Sequence, residues 1–297
     1  MTGSYTGLMR FLKGHGTEND FVLLPDPEGR LDLTAGLAAA LCDRRAGIGG
    51  DGVLRVVRSE AYDDPSAVAA RGDAAWFMDY RNADGSTSEM CGNGIRVFGR
   101  YLVEHEGVAP SVPLPVGTRA GTKVLTFDGD DVSVDMGEPL VLGETKVSVG
   151  DRAWPALHVS MGNPHAGAIV DDLADAGPLT EAPDHDEAEY PAGVNVEFVV
   201  RRGEQHVAMR VHERGSGETR SCGTGACAVM VAAALADGVD PASPSGTAYR
   251  VDVPGGRLQV TWTARRRVVL TGPAVLVAQG EVDLMALCRE TGSIGAR

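Results

Sequence analysis

Apolar residues along this chain alternate with polar ones in short runs, and most runs are bounded by Gly, Pro, Asp or Asn. This pattern of short β-prone runs between turn residues, whether alternating or wholly apolar, predicts strands. It marks MRFLKG (9–14), FVLLPD (21–26), VLRVVR (53–58), AAWFMDYRN (74–82), KVLTFDG (123–129), DVSVDM (131–136) and ALHVSMG (156–162). It continues through GAIVD (167–171), NVEFVV (195–200), HVAMRVHE (206–213), YRVDVPG (249–255), RLQVTWT (257–263), RVVLTG (267–272) and AVLVAQG (274–280). Helical character is confined to Thr34–Arg45, with Thr34 as N-cap, Ile95–Glu106 and Ala226–Ala236. Many strands with one prominent helix in each half predict an α+β chain of two similar domains. We place them at residues 1–125 and 126–272, with 273–297 adding a strand that returns to the first.

The two later helices are introduced by related text. EMCGNGIR (89–96) and SCGTGACA (221–228) each set a cysteine before Gly-X-Gly, 131 residues apart. The segments that follow close on Gly107-Val108 and Gly238-Val239, at equal distance from their cysteines. The halves are therefore read as a repeat.

Composition narrows the possibilities. A chain of 297 residues with 43% hydrophobic and 23% charged residues suits an ordinary globular protein of two domains. The net charge of −14 argues against a nucleic-acid partner, which favours a basic face. The longest uncharged apolar run, Ala226–Ala236, is too short to span a bilayer, so no membrane role is expected. The opening MTGSYTGLMRFLKGHG has no apolar signal core. Five cysteines without a CxxC pair then fit reduced thiols in a cytoplasmic setting. The seven histidines show no metal-ligand spacing, and no metal site is expected. Lysine occurs three times against 24 arginines, a bias typical of a GC-rich genome. Gly47–Gly52 matches GxGxxG, but a helix precedes it and a strand follows, the reverse of a dinucleotide fingerprint. It is read as a glycine-rich turn.

The repeated cysteines carry the candidate chemistry. A helix N-terminus has unsatisfied N–H groups and a partial positive charge, so it attracts a carboxylate and favours a thiolate by about one pKa unit. Glycines at 92, 94, 223 and 225 let a ligand approach those groups. A lone cysteine in such a place is usually a small core residue, and Cys42, Cys227 and Cys288 are read that way. Two in twin settings suggest more. If the halves face each other, one thiolate can remove an α-proton from an amino acid while the opposite thiol protonates the other face. No cofactor is needed.

These motifs, with KGHGTENDF (13–21), YRNADGS (80–86), MGNPHA (161–166), NVEF (195–198) and ERGSGET (213–219), resemble those of diaminopimelate epimerases, colinearly from residue 11 to about 230. The resemblance implies two domains, each a curled, barrel-like mixed sheet wrapped around a central helix, with the active site in the cleft between them. It implies Cys91 and Cys222 as the catalytic pair, and Asn19, Asn82, Asn163 and Asn195 as substrate-binding residues. Gly92-Asn93 and Gly223-Thr224 would hold the reacting carboxylate, and Glu213 and Arg214 would contact the ammonium and carboxylate groups. His165 and Glu213 would tune the thiols. The implied substrate is a small molecule, LL- or meso-diaminopimelate, with no cofactor. A homodimer through the stretch around Val277-Ala278-Gln279 is a further expectation.

The residues themselves support this. All five asparagines, at 19, 82, 93, 163 and 195, fall in these motifs, and an amide offers donors and acceptors without net charge. Singly, Asn82 beside Ala-Asp-Gly and Asn163 before Pro could be turn residues, His165 a satisfied structural histidine, and Arg214 a partner of Glu213. Arg265–Arg267 and Asp184–Glu189 read as solvated loops, and Tyr80 and Arg81 as strand residues. Two rivals remain: a proline racemase or hydroxyproline epimerase on the same fold, which usually carries His where Asn93 stands, and a thiol redox protein using Cys91 and Cys222. Redox proteins draw on CxxC spacing and need no Asn/Arg clamp.

Overall fold

The computed structural model describes residues 7–241 and 245–291, the last four by backbone alone. Within it the described chain forms two compact units, one of residues 7–16, 20–132 and 274–291, the other of residues 17–19, 133–241 and 245–273.

In the first unit a mixed sheet runs from strand Asn19–Pro25, parallel to Gly52–Arg58 and then antiparallel to Trp76–Asn82. Trp76–Asn82 lies parallel to Leu114–Gly117, which pairs antiparallel with Lys123–Asp128. Leu8–Gly16 and Val275–Asp283 form a further antiparallel pair. Helix α1 (Ala35–Cys42) is capped by Thr34, whose hydroxyl accepts from the Leu37 N–H at 3.2 Å. Helix α2 (Pro65–Ala70) opens on an Asp64 cap with Pro at its first position. Helix α3 (Gly92–His105) packs against strands Leu8–Gly16, Gly52–Arg58, Trp76–Asn82 and Val275–Asp283, and is buried along most of its length.

The second unit repeats the order. Pro164–Ile169 is parallel to Asn195–Gly203, which is antiparallel to His206–Glu213. His206–Glu213 is parallel to Thr247–Val253, which is antiparallel to Gly256–Trp262. The sheet extends through Val268–Pro273 at one side and through Arg152–Ser160 and Leu140–Val149 at the other. Helix α4 (Gly223–Ala236) packs against seven of these strands, so the sheet curls around it. Its sequence, GTGACAVMVAAALA, is apolar on every side, as a helix enclosed by a sheet requires. In both units the central helix joins an antiparallel-paired strand to the next strand in parallel. Helix α5 (Leu284–Thr291) ends the described chain.

Each strand read from alternation is present, but four were not predicted: Leu114–Gly117, Leu140–Val149, Asp184–His185 and Gly217–Thr219. Leu140–Val149 lacks alternating burial, since Leu140, Val141 and Leu142 are all exposed and pairing with Arg152–Ser160 holds it. Asp184–His185 bridges to Val147-Ser148, and Glu189 accepts from Thr145 and lies 2.7 Å from His158 Nδ1. The acidic stretch is exposed, as read from sequence, but begins in a two-residue strand and is anchored by these contacts. Arg265–Arg267 is an exposed turn, with Arg267 donating to Asp135. Gly47–Gly52 connects α1 to a strand.

Candidate active site

Both helices begin three residues earlier than their apolar pattern, at Gly92 and Gly223. The cysteines are therefore the caps themselves. Cys91 (φ −134°, ψ 124°) accepts from the Gly94 N–H, and Cys222 (φ −119°, ψ 116°) from the Gly225 N–H, each at 3.4 Å. Sulfur occupies the place usually given to a Ser, Thr, Asp or Asn oxygen. The repeat holds down to this hydrogen bond.

Burial separates the two thiols. Cys91 is half-buried, whereas Cys222 is 5% exposed. For Cys222 the expected fall in pKa is reversed: burial first, then the charges of Glu213 and Glu197, push the thiol well above its ordinary value despite the Gly225 N–H. Desolvation outweighs the helix end, because a thiolate loses more by leaving water than one terminus returns.

Around Cys222 the second unit assembles a connected polar cluster. Thr224 Oγ1 lies 3.5 Å from Cys222 Sγ and accepts from Asn163 Nδ2 at 3.4 Å. Asn163 Oδ1 faces His165 Nε2 at 3.1 Å, and His165 Nδ1 faces Glu197 Oε1 at 2.6 Å. His165 and Glu197 are fully buried. Asn195 pairs in register with His165 across parallel strands. Its amide is engaged by main chain on both sides, donating to the Pro164 carbonyl and accepting from the Arg214 N–H, each at 3.0 Å. Arg214 donates from its guanidinium to the Ala192 carbonyl, and Glu213 accepts from the Thr219 hydroxyl.

The segment 17–19, which carries Asn19, belongs to this unit although it lies far away in sequence. Buried Thr17 and Ser221 share a hydrogen bond at 2.6 Å, beside Cys222, and Arg220 donates to Glu18 at 2.7 Å. In the first unit Asn93 is fully buried behind Cys91, and Arg96, also buried, donates to the Gly92 carbonyl at 3.2 Å. Asn82 closes the strand before Cys91 in a turn, bonding Ser86 through main chain and side chain. That is the turn role open to it from sequence.

Comparison with known proteins places this arrangement. The family model described as diaminopimelate epimerase matches residues 11–142 and 157–277. A diaminopimelate epimerase of Streptomyces coelicolor is 60% identical over 277 residues, covering 92% of this chain and 95% of that protein. One from Thermobifida fusca is 49% identical over 94% of this chain and 100% of its own. The chain belongs to the diaminopimelate epimerase family. Solved structures extend the likeness in fold alone. A PhzF-family phenazine biosynthesis protein of Bacillus anthracis aligns with TM-score 0.70 at 15% identity, covering 93% of this chain and 99% of its own. A hydroxyproline epimerase from Agrobacterium vitis gives 0.62 at 16% over 94% and 93%.

Within this diaminopimelate epimerase fold, Cys42 and Cys227 are buried, as read from sequence, with burial pushing the Cys42 thiol up to about 12. The side chain of Cys288 lies outside the described residues. Glu197 went unremarked in the sequence although NVEF was. Its signal was a carboxylate in an apolar strand, on the face opposite the core residues Val196, Phe198 and Val200. Thr17 and Ser221 had no such signal, being small hydroxyl residues in polar text.

Proposed function

We propose that this chain converts LL-2,6-diaminopimelate to the meso isomer through Cys91 and Cys222 acting on opposite faces of one α-carbon, without a cofactor, as a cytoplasmic step towards lysine and peptidoglycan precursors. The single observation that carries this reading is the twinned cap: two cysteines in matching backbone conformation, each on a Gly-X-Gly helix start. One sulfur, as thiolate, takes the α-proton, and the electron pair spreads into the carboxylate. The other S–H delivers its proton to the far face, so the thiolate and thiol exchange roles with each turnover. The first N–H groups of α3 and α4 favour the carboxylate on which that charge accumulates. Asn19, Asn82, Asn163, Asn195, Glu213 and Arg214 bind the remaining amino and carboxyl groups, and His165 and Glu213 set the sulfur protonation.

The raised Cys222 pKa supports a division of labour in the empty enzyme, with Cys222 resting as the acid. Incubation with LL-diaminopimelate in D₂O tests the reading. Deuterium is expected at the new centre of the meso product while unreacted LL substrate stays protiated at early times. Equal early labelling of both isomers would overturn the two-base assignment, and no meso product at all would overturn the function.

A further inference from the structure

Resting on the epimerase reading, we infer that Glu197 is a positioning residue: through His165, Asn163 and Thr224 it aims a chain of hydrogen-bond donors at the sulfur of Cys222. The chain is read directly from the distances. Glu197 Oε1 to His165 Nδ1 is 2.6 Å, His165 Nε2 to Asn163 Oδ1 is 3.1 Å, Asn163 Nδ2 to Thr224 Oγ1 is 3.4 Å, and Thr224 Oγ1 to Cys222 Sγ is 3.5 Å. All five residues belong to the second unit.

Polarity follows from the chemistry of each link. Asn163 presents its oxygen to His165 and its nitrogen to Thr224, so His165 Nε2 must carry a proton and the Thr224 oxygen must accept. The Thr224 hydroxyl proton is then left to point at sulfur. At the far end, one proton lies between Nδ1 and Oε1. If it sits on the carboxyl, the neutral ring keeps its own proton on Nε2; if it sits on Nδ1 of an imidazolium, Nε2 is protonated as well. The remaining state, a carboxylate facing a neutral Nδ1–H ring, would bury a net negative charge near Glu213 and reverse the chain. Burial disfavours it, pushing the Glu197 carboxyl above its ordinary value, with His165 opposing and Glu213 assisting. Tyr190 also feels the Glu197 charge. Glu197 Oε2 is buried without a hydrogen-bond partner among the described residues. A fully buried carboxyl with one oxygen lacking a partner among the described residues suits a residue kept for its proton rather than for stability.

A thiolate at Cys222 arises in every turnover, after the thiol has given up its proton or before the thiolate takes one. The Thr224 hydroxyl is a donor already aimed at it. Without Glu197, the His165 proton can move to Nδ1, Asn163 turns over, and Thr224 must donate to Asn163 instead of to sulfur.

The test compares Glu197→Ala with Glu197→Gln, whose amide can donate to Nδ1 and keep the proton on Nε2. Nitrogen NMR of ¹⁵N-histidine protein, with His165 assigned by loss of its signal in His165→Gln, should show Nε2–H in the native and Gln proteins and a shift towards Nδ1–H in the Ala protein. Turnover of Glu197→Ala should fall by roughly tenfold to a hundredfold in both directions with KM nearly unchanged, and Glu197→Gln should recover most of it. Thr224→Val, which cuts the last link, should raise the pH at which Cys222 gains ultraviolet thiolate absorbance, taken as the difference from Cys222→Ser, while leaving the His165 signal alone. It keeps the proposal testable if Glu197→Ala does not fold. An unchanged His165 signal in Glu197→Ala, or equal loss of turnover in both Glu197 variants, would overturn the positioning role. Failure of the epimerase reading would look different: no protein, native included, would turn over, while the His165 signal would still answer.

Discussion

Gly94 and Gly225 occupy the same position in the two helix starts, yet a methyl group should be tolerated at one and not at the other. A Cβ built on Gly225 lies 2.7 Å from Glu197 Oε1, 3.2 Å from Cys222 Cβ and 3.3 Å from its Sγ. Ordinary contact begins near 3.4 Å, so the carboxylate must retreat by about 0.7 Å (3.4 minus 2.7). Glu197 cannot retreat and keep His165 at 2.6 Å. Losing a hydrogen bond of this charged kind costs about 1.5–3 kcal/mol, against which Gly→Ala in a helix returns at most about 1 kcal/mol. Gly225→Ala should therefore destabilise the protein by about 1–2 kcal/mol. On Gly94 the Cβ meets Leu54 Cδ2 at 3.2 Å, with Cys91 Cβ and Phe21 Cζ at 3.4 Å. A leucine methyl can yield by the about 0.2 Å required, and the helix gain then makes Gly94→Ala neutral or mildly stabilising. The helix term is common to both variants and cancels in the comparison. Urea unfolding followed by tryptophan fluorescence reads it, since Trp154 and Trp262 report the second unit and Trp76 the first. Equal stability of the two variants, or a Gly94→Ala more damaged than Gly225→Ala, would refute the account of why the second Gly-X-Gly is needed.

Asp20 supplies a pH prediction. Burial raises its carboxyl, but hydrogen bonds and charge from Arg44 and Lys13 together bring it down to about 2. A depressed carboxyl stabilises the fold above its unfolded value near 4, and that contribution disappears as pH falls towards about 2. Asp20→Asn should cost about 1 kcal/mol near neutral pH, after allowance for solvent screening, and nothing in acid; urea titrations at both ends check this. Thr34→Ala should remove the α1 cap and cost about 1 kcal/mol in the same assay, while Thr34→Ser should cost little.

What the sequence determined by itself was whatever depends on neighbours along the chain. Alternation specified the strands whose two faces differ in environment, such as Gly256–Trp262, because burial of one face imposes a period of two. Thr34, Cys91 and Cys222 marked helix starts, since caps and glycines act within a single turn. The repeat of cysteine and Gly-X-Gly was legible for the same reason, and so were the five asparagines as a set. Only the tertiary structure decided the rest. Leu140–Val149 is a strand because another strand pairs with it, and its exposed leucines say nothing of that. Residues 17–19 join the second unit through a Thr17–Ser221 bond between side chains some 200 residues apart. Cys222 sits at a helix end that should favour its thiolate, yet burial, with Glu213 and Glu197 close by, pushes its pKa up instead. Solvation depends on everything within a few ångströms, and most of those atoms come from strands far away in sequence. The Glu197–His165 pair is a case of both: a carboxylate visible in an apolar strand, whose purpose appears only when strand register sets it beneath Gly225.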